Sequence, residues 1–365
     1  MPCDLRTHVP YWPDDCSFTR SKGAGVRWDH LRLDGDAAAP VGPQPPLIER
    51  RAVARTIDTP EFRGMTFYEV HAKTVVNRVP EASRVPFRWT INPYRGCSHA
   101  CVYCFARKTH EYLDMDSGAD FDSRIVVKVN AAERVRAELA APRWRGEHIA
   151  MGTNVDCYQR AEGRYRLMPG ILAALRDAAN PFSILTKGSL ILRDLPLLRE
   201  AAARTEVGTA VSVGSVDTDL WRLVEPGTPP PRRRLEVCAA LNDAGIGCGV
   251  LMGPVLPYLS DSPAQLDAAV RQIADAGATS VSAITLHLRP GAREWFLAWL
   301  REHRPDLVAP YARLYRGGAY APRDYQRRIS GQVADLAARY GIGGRARHRP
   351  ALPPPPAPPQ QLSLL

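Results

Sequence analysis

Asn92-Pro-Tyr-Arg-Gly-Cys97-Ser-His-Ala-Cys101-Val-Tyr-Cys104-Phe-Ala-Arg107 is the stretch on which the reading of this chain turns. It gathers three cysteines within eight residues, while Cys3, Cys16, Cys157, Cys238 and Cys248 are scattered. Three thiolates on one short loop suit three corners of an iron–sulfur cube, and the fourth iron is then open to a small molecule. Gly96 lets the backbone run close to such a cluster, whose sulfides can accept from backbone N–H groups. Two other readings stay open. A structural zinc site needs four ligands, and His99 or His110 could complete one here, although no second cysteine pair occurs. A redox pair of Cys101 and Cys104 leaves Cys97 unexplained.

Outward from this loop, short β-rich runs alternate with helical patterns between residues 87 and 286. Strands are expected near 87–92, 147–153, 182–186, 207–213, 246–252 and 279–286, with a further one near 124–129 outside that count. Repeated β-then-α units imply parallel strands with crossover helices. One helix is marked by Ser262 as N-cap, Pro263 in the first turn, Gln265 for a capping box and Gly277 as the stop. Another begins near Arg232 and puts Leu235, Cys238 and Leu241 on one side, so Cys238 reads as a small core residue. The expected fold is α/β, a partial (β/α)6 TIM-like barrel with its chemistry at the C-terminal strand ends.

The cysteine loop follows the first strand, at that reactive face. The loop after the second strand gathers Thr153, Asn154, Asp156, Cys157, Tyr158, Gln159 and Glu162, which could bind a cofactor or substrate or simply form a turn and N-cap. Lys187 ends the third strand and Ser212 the fourth; His287 and Arg289 follow the last.

The spacing Cys97-x-x-x-Cys101-x-Tyr103-Cys104 resembles the signature of the radical S-adenosylmethionine (SAM) superfamily. Five further segments resemble its spore photoproduct lyase-like branch: Asn92 to Cys97, Gly152 to Asp156 with Tyr158, Gln159 and Glu162, Leu185 to Gly188, Glu225 to Thr228, and Pro254 to Pro257. The likeness runs over roughly residues 50–340. It implies a barrel of radical SAM type in which Cys97, Cys101 and Cys104 hold a [4Fe-4S] cluster. SAM would chelate the unique iron and be cleaved reductively to a 5′-deoxyadenosyl radical that abstracts a substrate hydrogen. Tyr103, Thr153, Asn154, Asp156, Lys187 and Ser212 become the candidate cofactor contacts, Lys187 for the SAM carboxylate and Ser212 by position. A flavodoxin or ferredoxin would supply the electron. Spore photoproduct lyases carry a hydrogen-donating cysteine near the end of the second strand. Here Gly152 precedes Thr153 and the nearest thiol is Cys157, a departure that weighs against thymine-dimer repair. Cys157 and Tyr158 are the candidate catalytic groups.

The formal net charge of +10 favours polyanionic partners, although nearly all of it is arginine and fits the composition of a GC-rich genome. Residues 323–349 hold seven arginines with Tyr325 and Tyr340, either a phosphate- and base-binding stretch or a solvated helix. The chain ends Gln361-Leu362-Ser363-Leu364-Leu365 after a proline-rich arm, and this resembles the bacterial sliding-clamp-binding peptide. DNA and the clamp are thus the candidate partners, and DNA repair the candidate process. No apolar run is long enough to span a membrane and no secretory pattern opens the chain, so a cytoplasmic protein is expected. Val26-Arg-Trp-Asp29 looks like the start of related proteins, which makes Val26 a candidate initiator. The expected organisation is an irregular, disordered extension (1–46), a lead-in (47–86), the barrel (87–290), a C-terminal helical region (291–349) and the proline-rich tail (350–365). Two competing functions are radical modification of a peptide or small molecule, and a metal-stabilised nucleic-acid-binding protein without radical chemistry.

Overall fold

Six short strands, rich in apolar and β-branched residues, pair in parallel in the computed structural model, which describes residues 31–32, 53–57, 59–81, 83 and 85–343. They are β1 (Trp89–Ile91), β2 (Ile149–Met151), β3 (Phe182–Thr186), β4 (Val207–Ser212), β5 (Cys248–Val255) and β6 (Val281–Thr285). Their order in the sheet is their order in the chain, and Val76–Arg78 lies antiparallel on the outer edge of β1. Parallel neighbours in sequence order require a crossover after each strand, and helices such as Leu167–Asp177 after β2 and Pro231–Asp243 after β4 supply them. The result is the expected partial (β/α)6 barrel, with no pairing between β6 and β1.

The helices follow their sequence cues. Pro263–Asp275 is opened by Ser262, whose hydroxyl accepts from the Gln265 N–H in a capping box, and it buries Leu266, Ala269, Val270 and Ile273. Leu235, Cys238 and Leu241 face inward from Pro231–Asp243. The arginine-rich stretch forms the helix Arg323–Arg339, with Ile329, Val333 and Leu336 buried in the main core. Its aromatic residues are spoken for: the Tyr325 hydroxyl donates to Asp261, and that of Tyr340 donates to Asp267 at 2.9 Å. Arg328 and Arg339 lie within 3.6 Å of the same two carboxylates. Among the described residues this stretch is a docked helix with a solvated outer face, and residues 344–349 lie outside the described residues.

A second, five-stranded sheet draws two of its strands from residues 47–86, the N-terminal lead-in. Thr66–Ala72 pairs in parallel with Arg124–Lys128, the extra strand expected outside the barrel, and Val53–Thr56 flanks it. Tyr94–Arg95, directly ahead of the cysteines, pairs antiparallel with Val126–Val127. Within the N-terminal extension, Leu31–Arg32 pairs with His71–Ala72. The rest of residues 1–46, including Val26, and residues 344–365, including the proline-rich arm and its terminal peptide, lie outside the described residues. Among the described residues no helix is long and apolar enough to cross a membrane.

Candidate active site

The cysteine loop is positioned from both sheets. Past β1 the chain is caught by the second sheet through Tyr94–Arg95 and turns at Gly96, whose φ is +76°. A Cβ there would stand 2.8 Å from the His110 ring and 3.0 Å from the Arg124 carbonyl, so glycine is required for both shape and space. Cys97 N–H then donates to Phe121 O at 2.9 Å. The barrel holds the same loop through Gln159, which is fully buried. Its Oε1 accepts from Ser98 N–H and its Nε2 donates to Gly96 O, each at 2.9 Å. Gly227 of the Glu225 to Thr228 segment donates to His99 O, and a Cβ at 227 would lie 2.0 Å from Ser98 O. Arg107, also fully buried, donates to Cys101 O at 3.0 Å and bonds both Asp122 oxygens, its guanidinium packed on Phe121 and Trp295.

The resulting cavity lies at the C-terminal ends of the parallel strands and encloses about 870 Å³ of empty space, counting its open mouth. Cys97, Cys101, Tyr103 and Cys104 line it, together with Thr153, Asn154, Asp156, Lys187 and Ser212. Every candidate cluster and cofactor residue from the sequence is therefore on one surface. Lys187 Nζ donates to Ser212 Oγ at 2.5 Å and to Gly253 O at 3.3 Å, and lies 3.6 Å from Glu225 Oε1. Glu225, missed by the residue-by-residue reading, also accepts from the Tyr103 hydroxyl and from Arg234. Burial drives its pKa up, but the Arg234 and Lys187 cations outweigh that and hold the carboxyl down at about 2. Asp156 behaves alike. Burial opposes its ionisation, while His99 at 3.4 Å, Lys187 N–H and the Thr186 hydroxyl, the latter two at 2.6 Å, bring it to about 2. With Tyr158 N–H also donating to Asp156, its carboxylate is fully engaged in tying the β2 and β3 tips together.

Four sequence candidates fall elsewhere. Cys157 and Tyr158 do not line the cavity; both are buried in the core, and the Tyr158 hydroxyl donates to Asp194 at 3.1 Å. Burial pushes the Cys157 thiol well up, the opposite of an activated sulfur. Glu162 is equally internal, accepting from Tyr94, Leu167 N–H, Met168 N–H and Arg193. Gln159 is a clamp on the loop, not a ligand contact.

The three loop thiols suit an iron–sulfur cluster by their chemistry. Burial pushes all three up, and for Cys97 and Cys101 a neighbouring carboxylate adds to it, so bare thiolates are unfavourable there. A cationic metal group removes that penalty by taking the thiolates as ligands. Among the described residues no three His, Cys, Asp or Glu side chains converge on a point as one zinc ion would require. Cys97, Cys101 and Cys104 all line the one cavity, and an iron–sulfur cube takes each thiolate on a separate iron.

An open parallel barrel with a thiol-bearing loop after its first strand, and a cavity at the strand ends, has the layout in which such folds carry their binding and catalytic sites. Residues 91–283 match the sequence model of the radical SAM superfamily, and the chain belongs to that superfamily. Its cofactors are accordingly a [4Fe-4S] cluster and SAM, and its chemistry calls for a reductant. An uncharacterised protein of Mycobacterium tuberculosis is 52% identical over 308 residues, covering 84% of this chain and 90% of that one. One from Methanocaldococcus jannaschii is 29% identical over 195 residues, or 53% of this chain and 69% of the relative. Among solved structures, spore photoproduct lyase complexed with dinucleoside spore photoproduct matches with a TM-score of 0.57 at 14% identity, covering 76% of this chain and 80% of that one. That likeness is one of fold.

Proposed function

We propose that this protein uses Cys97, Cys101 and Cys104 to hold the cluster, and the cavity above them to bind SAM beside a nucleic-acid substrate. The carrying observation is that the three thiols, Tyr103, Thr153, Asn154, Lys187 and Ser212 line one cavity. Held by Cys97, Cys101 and Cys104, a reduced cluster would supply one electron for reductive cleavage of SAM, the chemistry that leads to hydrogen abstraction from a substrate. The protein's part is placement. Lys187, steadied by Ser212 and Gly253 O, is the cation to meet a carboxylate. Glu225 and Arg234 fix Tyr103 and Lys187 from behind, and Asp156 fixes the β2 and β3 tips. Thr153 and Asn154 line the same cavity with neutral polar groups.

The finer partners belong to the same proposal. A flavodoxin or ferredoxin is the electron donor, the compartment is the cytoplasm, and the terminal peptide Gln361 to Leu365 is a tether to the sliding clamp, supported by its sequence. Anaerobic reconstitution with iron and sulfide, reduction and assay for 5′-deoxyadenosine test the central claim. A brown protein that forms 5′-deoxyadenosine, and loses this on Cys97→Ala, Cys101→Ala or Cys104→Ala, is the expected result. A colourless protein carrying one zinc per chain and forming none overturns it.

A further inference from the structure

The mouth of the cavity carries a group of rings that the cofactor reading leaves unused. Phe105, the residue after the last loop cysteine, and His287, just past β6, both line the cavity. Their ring centroids are 5.5 Å apart, and the His287 ring stacks in turn on Tyr320 at 5.5 Å and 25°. Arg289 spans the two ends: its guanidinium carbon lies 5.8 Å over the Phe105 ring, and Nη2 donates to the Tyr320 hydroxyl at 2.9 Å. The backbone makes this rigid, since His287 and Tyr320 face each other in an isolated bridge and Leu288 N–H donates to Ala319 O at 2.7 Å. Yet the rings stay open to solvent, Phe105 at 37% and Tyr320 at 53% exposure, with Ile284 at 46% on the cavity wall beside them.

Rings that serve the core are buried; these form a fixed row leading from the cavity to the surface with a cation along it. We infer that Phe105, His287, Tyr320 and Arg289 form a stacking subsite for the bases of a single-stranded nucleic acid, feeding one nucleotide toward the cavity. Every base offers a flat π-face to such rings, and an arginine adds cation–π attraction and a phosphate contact. The net charge of +10 favours this polyanion over a neutral or basic peptide. Burial and the nearby Arg289 lower the His287 pKa, which keeps the ring neutral and suited to stacking. The subsite rests on the function proposed above and narrows its nucleic-acid substrate to a single strand with stackable bases.

The test uses the full-length, anaerobically reconstituted protein and the anisotropy of a fluorescein-labelled oligothymidylate six nucleotides long. The arms are the unlabelled strand, its duplex and a glutamate-rich hexapeptide as competitors. Expected is binding competed by the single strand far better than by duplex or peptide, and weakened about tenfold or more by Tyr320→Ala or Arg289→Ala. Tyr320→Phe should keep most of the affinity, and Leu223→Ala, an exposed apolar site elsewhere, should change nothing. Equal competition by the acidic peptide, or affinity untouched in both alanine variants, overturns the subsite. Formation of 5′-deoxyadenosine by a wild-type protein that ignores the oligonucleotide sinks only this inference. Oligonucleotide binding without any 5′-deoxyadenosine sinks the radical reading instead.

Discussion

Gln159 gives the sharpest test of how the fold serves the cluster loop. Its amide satisfies Ser98 N–H and Gly96 O, two backbone groups that flank Cys97, and it has no exposure to solvent. In Gln159→Ala both groups lose their partner, and each buried orphan costs about 1–3 kcal/mol, so the loss is about 2–6 kcal/mol. Water entering the vacated space moves the result toward the lower end. A loss of about 2 kcal/mol or more is thus expected in urea unfolding of the cluster-free protein. Iron retained after challenge with a chelator should fall in parallel, because the freed loop no longer presents Cys97 in register. Gln159→Leu keeps the bulk but not the bonds and should resemble alanine. Wild-type unfolding and full iron retention in both variants would refute the clamp.

Lys187→Met should raise the KM for SAM at least tenfold while leaving iron content and the cluster's visible absorption unchanged, as titration of 5′-deoxyadenosine formation would show. Lys128 is buried, and burial first, then Arg95, lowers its ammonium to about 7 despite Glu138. The folded state therefore binds fewer protons than the unfolded one between about pH 7 and 10, and stability rises with pH across that window. The gain from pH 7 to 9 is about 2 kcal/mol by linkage, and Lys128→Met should abolish that part of the slope in urea unfolding. Removing residues 360–365 should abolish co-elution with the sliding clamp without altering 5′-deoxyadenosine formation; unchanged co-elution disposes of the tether.

The barrel and the cavity wall were legible because their signals are local. Strands of five to eight residues such as Phe182–Thr186 and Cys248–Val255 stand out as apolar runs, and the cysteine spacing fixes which strand comes first. Ser212 follows from position alone, and Lys187 from position together with the family resemblance, since each closes a parallel strand at the reactive face. What stayed hidden depends on contacts far apart in sequence. Thr66–Ala72 has strand-like residues, yet nothing nearby says that it pairs with Arg124–Lys128 and braces the segment ahead of Cys97. Glu225 was visible only as part of a motif; its link to Tyr103 spans 122 positions. Gln159 and Asp156 carry the same polar groups that a ligand would use, and only coordinates show those groups already satisfied by the protein itself.

The end of β2 bears directly on how any substrate radical is quenched. Gly152 has a φ of +74°, and a Cβ on it would stand 1.7 Å from the Leu185 carbonyl oxygen, inside the β2–β3 junction. No side chain fits there without parting the two strands, so a thiol cannot be placed at that position by substitution alone. Cys157 offers no replacement, because it is buried away from the cavity. Among the described residues, the cavity's thiols are those of Cys97, Cys101 and Cys104. Once these bind iron, none is left to return a hydrogen atom to a substrate. On the proposed function, the described residues leave no free thiol in the cavity, so the hydrogen would come back from 5′-deoxyadenosine or from another donor, or the radical would be resolved by electron transfer or elimination. Deuterium supplied in the 5′-position of SAM distinguishes these endings, since its return to product marks the first and its retention in 5′-deoxyadenosine the others.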